Sequence, residues 1–163
     1  MDEDKNVEVK SSMLWNKRNN KCSENDYLAL EIVRSIAAFM NSDGGSVIVG
    51  INPEKEIIGI EADFQCLGKQ KNWDGWQQRL QDKIKKFSSD YVLFLDSIKV
   101  TKCQSKSKIV AQILVSQGRK PAFTKSIDNS QVDFYIRGIN GIVPLYADGL
   151  ADYLRSHWPR QID

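Results

Sequence analysis

The sequence predicts an α+β domain, a mixed β-sheet packed against about three helices. Three observations carry that expectation. Short apolar runs bounded by turn residues recur along the chain, apolar stripes at helical spacing occur three times, and the two kinds do not alternate as regular βαβ units. With 163 residues, 41% of them apolar and 27% charged, the chain has the size of one domain and enough apolar material for a packed core. A disordered or collagen-like chain is excluded. The expected unit is a single domain over residues 1–163, either excised from a longer protein or a trimmed stand-alone version.

Val7 and Val9 alternate with polar neighbours, the pattern of a half-buried strand. The polar stretch from Asn16 to Asn25 reads as a loop. Ser23 or Asn25 is placed to cap a helix in which Leu28, Ile32, Ile36 and Phe39 share a face. Gly44 and Gly45 end that helix, because glycine permits the left-handed conformation of a helix terminus. Ser46–Ile51 reads as a buried strand, Asn52-Pro53-Glu54-Lys55 as a turn, and Ile57–Ile60 as the return strand. Trp73, Trp76, Leu80, Ile84 and Phe87 predict a second helix over Asp74 to Phe87. Tyr91–Leu95, Ile98–Val100, Ile109–Val115 and Val132–Arg137 read as further strands. Leu150, Tyr153, Leu154 and Trp158 place a closing helix over Ala147 to Trp158, stopped by Pro159.

The 23 Lys and Arg against 21 Asp and Glu give a net charge of +2, which excludes a strongly basic chromatin coat but leaves room for a local patch. Cys22, Cys66 and Cys103 are neither the close pairs of a zinc site nor a dense disulfide scaffold. The single histidine, His157, cannot build a multi-histidine metal centre. No apolar run approaches the roughly 20 residues needed to cross a bilayer, and the acidic opening Met1-Asp2-Glu3-Asp4-Lys5 is unlike a secretory signal. A soluble, reducing, cytoplasmic setting with no membrane partner is the expectation.

Two segments point to chemistry. In Glu8-Val9-Lys10 the carboxylate and the ammonium fall on the same side of a strand. A carboxylate can hold a divalent cation while a neighbouring lysine stabilises charge developing on a phosphate; an ordinary salt bridge fits the same three residues. From Ser97 to Ile127 there are seven basic residues, Lys99, Lys102, Lys106, Lys108, Arg119, Lys120 and Lys125, and no acid. Lys106 and Lys108 flank a serine-rich hairpin able to follow a phosphate backbone, although lysines on a hairpin also discourage edge-to-edge strand pairing. Trp15 is a candidate for stacking on a base. The glycines at 44 and 45 follow a helix C-terminus, whose dipole repels anions, and no P-loop motif occurs, so a nucleotide site of that kind is excluded.

Several of these segments together resemble one family. Val7-Glu8-Val9-Lys10-Ser11-Ser12 is similar to the opening E-x-K-S-S strand of the Schlafen-type AlbA-like domain. Residues 36–45 resemble its I-A-A-F-x-N-x-x-G-G block, Val47–Ile51 the strand after it, Ile57–Glu61 the I-x-G-[ILV] return, and Phe134–Gly138 its [FY]-x-R-x-G segment. The resemblance implies a compact α+β domain of the DNA-binding type found in prokaryotic proteins, with eukaryotic relatives that bind RNA or cut transfer and ribosomal RNA with a metal. Of the three acids those nucleases use, the resemblance maps two onto Glu3 and Glu8. Pro53 stands at the third position, with Asn52, Glu54 and Glu56 as nearby substitutes.

The leading expectation is therefore a nucleic-acid-binding domain, DNA or RNA, with Lys10, Lys99, Lys102, Lys106, Lys108, Lys120 and Arg137 meeting phosphates and no cofactor required. The alternative is an endoribonuclease using Mg or Mn, held by Glu3 and Glu8 with Lys10 in support. A third reading keeps the fold as a protein-interaction or assembly module. A homodimer would reproduce the two-lobed cleft of the Schlafens.

Overall fold

The computed structural model describes residues 5–159. In chain order its elements are β1 (Val7–Lys10), β2 (Trp15–Asn16), β3 (Lys21–Cys22), α1 (Tyr27–Met40), β4 (Gly45–Val49), α2 (Glu61–Phe64), α3 (Trp73–Phe87) and α4 (Tyr91–Ser97). There follow β5 (Ile98–Ser105), β6 (Lys108–Val115), β7 (Phe123–Lys125), β8 (Val132–Arg137), β9 (Ile142–Pro144) and α5 (Ala147–His157). The main sheet runs β1-β4-β6-β5, parallel only between β1 and β4, and a three-stranded antiparallel sheet runs β7-β8-β9. The fold is α+β, with a mixed sheet as expected.

Helix α1 is apolar on nearly every side, from Ala29 and Leu30 to Phe39 and Met40, and such a helix must be covered all round. It packs between the two sheets, with α3 and α4 beside it. Val47, Val49, Ala111, Ile113 and Val115 point from the main sheet into this core, where Trp76, Leu80, Ile84 and Phe87 of α3 meet them. The other face of the sheet carries a smaller cluster, Val9, Ile48, Ile51 and Val110.

Gly44 and Gly45 end α1 for steric reasons beyond helix capping. At Gly44 φ is +77°, and a Cβ would lie 2.7 Å from the Val115 carbonyl oxygen; at Gly45 it would fall 2.3 Å from the Phe39 ring. Only glycine lets the chain turn this tightly from α1 into β4.

Three expectations need correction. Tyr91–Leu95 is helical: Asp90 accepts a hydrogen bond from the Leu93 N–H at 3.3 Å, and Leu93, Phe94 and Ser97 are buried at helical spacing. The cap overrides the strand propensity of an aromatic and β-branched run. Ile57–Ile60 is not a strand, since only Ile57 bridges to Ile51 and Gly59 turns out of the extended region at φ +79°. Ser23 does not cap α1; Asn25 accepts from the first N–H of the helix, that of Tyr27, at 2.9 Å, one place ahead of the cap position, Asp26, which makes no side-chain capping bond. Its carboxylate instead binds Lys83 at 2.8 Å, and Lys86, tying α1 to α3. Burial disfavours the charged form of Asp26, but the two lysines outweigh this and hold its pKa below the usual carboxylate value.

Among the described residues, no helix is long and apolar enough to cross a membrane.

Candidate nucleic-acid interface

Register decides which basic side chains can act together. Lys10 pairs with Val49, Val49 with Ala111, and Ala111 with Lys102, so these four residues form one row across the main sheet. Val49 and Ala111 in the middle of the row point into the core, so Lys10 and Lys102 stand at its two outer ends, on the edge strands β1 and β5, three strand spacings or about 14 Å apart. Lys99 belongs to a different row, with Leu114, Ser46 and Val7. It sits on the opposite face and toward the other end of β5.

The end of the sheet that holds Lys10 and Lys102 also carries the β5–β6 turn. Ser105 pairs with Lys108, leaving Lys106 and Ser107 as a two-residue turn, both at positive φ, 51° and 66°. Such turns favour Asn-Gly, because both positions need a conformation that side chains resist. A lysine held there keeps a charge at the tip at some cost in backbone energy. Lys108 Nζ donates to the Ile57 carbonyl at 3.4 Å, which joins the hairpin to the Ile57–Ile60 segment.

Three grooves meet at Ser11 and Ser12, just past the C-terminal end of β1. The largest, about 580 Å³, runs along Trp15, Asn16, Lys17, Arg18, Tyr27 and Leu28. A second reaches Lys17, Ile58 and Gly59, and the third holds Lys10, Glu31 and Pro53. The ion pairs among the described residues leave out Lys10, Lys17, Arg18, Lys102 and Lys106.

The groove wall is held by a buried acid. Asp63, fully enclosed, accepts hydrogen bonds from the backbone N–H groups of Met13, Leu14 and Trp15 at 2.8–2.9 Å, and from the Trp76 indole at 2.9 Å. Four donors offset the cost of burying a carboxylate. Nearby, Cys22 of β3 and Cys66 form a disulfide, with Cα atoms 5.7 Å apart. Cys103 is free and exposed. Spacing along the chain suggested no pair; the Asp63 hub is what brings the β2–β3 hairpin to the residues after α2.

The Schlafen-like motif residues do different work. Arg137 Nη1 donates to Glu8 Oε1 at 2.7 Å, with the Arg137 side chain fully buried. Its Nη2 donates to the Val7 carbonyl at 3.2 Å, and its guanidinium lies 4.8 Å from the Phe39 ring centroid. Asn41, also buried, donates to the Ala122 and Tyr135 carbonyls and accepts from the Ala122 N–H, while Tyr153 donates its hydroxyl proton to the Asn41 carbonyl. These contacts lock β1, α1 and β8 together. Arg137, expected among the phosphate contacts, is therefore enclosed, and Glu8 already has its charge compensated. Glu3 lies outside the described residues. Among those described, no three His, Cys, Asp or Glu side chains cluster, and Pro53 offers no side-chain oxygen. The described residues do not fit an Mg or Mn site.

Arg119 and Lys120 of the basic window are paired with acids instead. Lys120 lies 3.4 Å from Asp90 and Arg119 lies 3.8 Å from Asp96. The Leu93 N–H, against a small burial penalty, and then Lys120 and Arg119 hold the Asp90 pKa low. Lys17, Arg18 and Tyr27 were absent from the expected site. The signal for Lys17 and Arg18 was the run Asn16–Lys21, composed entirely of Asn, Lys and Arg, which reads as a loop until the fold folds it over Ser11; Tyr27, at the start of α1, carried none.

The sequence matches the family described as Schlafen, AlbA_2 over residues 3–145. The chain belongs to this family. A search of curated proteins returned no match. Among solved structures, the DIP2311 protein from Corynebacterium diphtheriae is similar to this Schlafen-type chain with a TM-score of 0.60 at 17% identity. The match covers 93% of this chain and 27% of that one, so the chain spans about a quarter of that protein's length. At this identity the likeness concerns the fold alone.

Proposed function

We propose that this Schlafen-type domain binds nucleic acid through the rim of the main sheet formed by Lys10, Lys102, Lys106 and Lys108, continued by Lys17 and Arg18. The observation that supports the reading is the lysine-tipped β5–β6 hairpin at the end of the main sheet whose two edge strands carry Lys10 and Lys102. Family membership supports the same class of ligand. Lys99, Lys120 and Arg137 drop out of the site. With roughly five phosphate contacts, log affinity falls against log salt with a slope of about −4.

The test is fluorescence anisotropy with transfer RNA, a single-stranded oligonucleotide and duplex DNA over a salt series. The double variant Lys106→Glu, Lys108→Glu is expected to weaken binding roughly tenfold or more and to make the slope shallower by about two. Lys99→Glu with Lys120→Glu, matched in total charge, is expected to change both far less. Equal losses in the two variants, or binding indifferent to salt, would overturn the proposal.

A further inference from the structure

The largest groove has a composition that the phosphate-binding rim does not need. Its walls combine two aromatic rings, Trp15 and Tyr27, with Leu28, the amides Asn16, Asn19 and Asn25, and the cations Lys17 and Arg18. Tyr27, in the first turn of α1, is 55% exposed. Asn16 and Asn25 each spend the side-chain oxygen locally, accepting from the N–H groups of Arg18 and Tyr27 at 2.9 Å. Their NH₂ groups are the donors that remain. Glu24, the acid on the wall, is already paired with Lys21 at 2.7 Å. The volume, about 580 Å³, is in the range of sites for small organic ligands.

We infer that this groove takes one unstacked nucleotide of a single strand. The inference rests on the nucleic-acid reading above and adds which form of nucleic acid the site prefers. The aromatic rings offer a face to the base, the amide donors meet its carbonyl oxygens, and Lys17 and Arg18 meet the phosphate beside it. A base inside a duplex is already stacked and paired, and must leave both partners to reach such a ring; an unpaired base is free to do so. The wall is preorganised, because Asp63 fixes the backbone N–H groups from Met13 to Trp15 and the Cys22–Cys66 bond fixes the other strand of the hairpin.

The experiment compares a labelled twelve-nucleotide single strand of mixed sequence with the duplex of the same sequence, at matched salt. Parent protein is expected to bind the single strand more tightly. Tyr27→Ala, at an exposed helix position, is expected to weaken the single strand at least about fivefold and to leave the duplex unchanged. Trp15→Phe keeps a ring at the wall and is expected to retain most of the single-strand affinity. Salt-dependent binding of both forms with equal affinity, or a Tyr27→Ala protein that binds the single strand like the parent, overturns the nucleotide groove while the rim proposal stands. If neither oligonucleotide binds at low salt, the rim proposal fails and takes the groove with it.

Discussion

Glu8 and Lys10 are two residues apart on one strand, yet they belong to opposite kinds of site. Glu8 is 7% exposed and bonded to Arg137, part of a latch that joins β1, α1 and β8. Lys10 borders an open groove and shares a row with Lys102. The difference teaches that the residues most recognisable in the sequence hold the scaffold, whereas the groups able to meet a ligand sit next to them at positions with no fixed motif. A carboxylate and a lysine at that spacing suggested a catalytic pair; the buried ion pair of Glu8 and the half-buried position of Lys10 at a groove divide them.

The strongest way to break this comparison is Glu8→Ala. It leaves a buried guanidinium without its counter-charge, and we expect a loss of about 3–5 kcal/mol in unfolding free energy, read by chemical denaturation. The folded fraction should bind oligonucleotides like the parent. A stable Glu8→Ala protein with lost affinity would reverse the assignment of latch and rim. Next in size, replacing Cys22 by Ser removes a cross-link between residues 44 apart in sequence, for which the chain-entropy estimate is about 4 kcal/mol and the usual yield roughly 2–4. Thermal melts of the parent with and without a dithiol reductant should show the same drop. A smaller drop in stability accompanied by weaker single-strand binding would place the hairpin outside the cooperative core. The paired charge reversals at the rim come third: they should alter affinity and salt slope with the melting temperature nearly unchanged, the inverse of the latch variant. The smallest effect belongs to Ser107→Gly. Glycine at this positive φ relieves roughly 1–2 kcal/mol of strain but adds about 0.4–1 kcal/mol of unfolded-chain entropy, so we expect a net gain below about 1 kcal/mol with phosphate contacts intact.

Much of the scaffold was legible beforehand because burial writes a period into the chain. The stripes of α1, α3 and α5 and the runs of β4, β6 and β8 were all visible in this way. α4 was not: Tyr91-Val92-Leu93-Phe94-Leu95 has the composition of a strand, and only the Asp90 cap and the packing of Leu93 and Phe94 decide otherwise. The β2–β3 hairpin was invisible because its strands hold two residues each, too few for any period. The basic window was legible as composition but not as geometry. Lys99 and Lys102 are three apart on a strand and therefore face opposite ways, and Lys120 meets an acid that is thirty places away in the sequence. Asp63 carried no signal, since its importance lies in four donors supplied by distant segments.

The way the hairpin is attached has a consequence for diversification. Its backbone hangs from one carboxylate and one covalent bridge at its base, while residues 17–20, between the two strands, are all exposed. With no packing to the interior at stake, substitutions at Lys17, Arg18 and Asn19 should leave the melting temperature almost unmoved, whereas Asn20, at φ +50°, tolerates few replacements besides glycine.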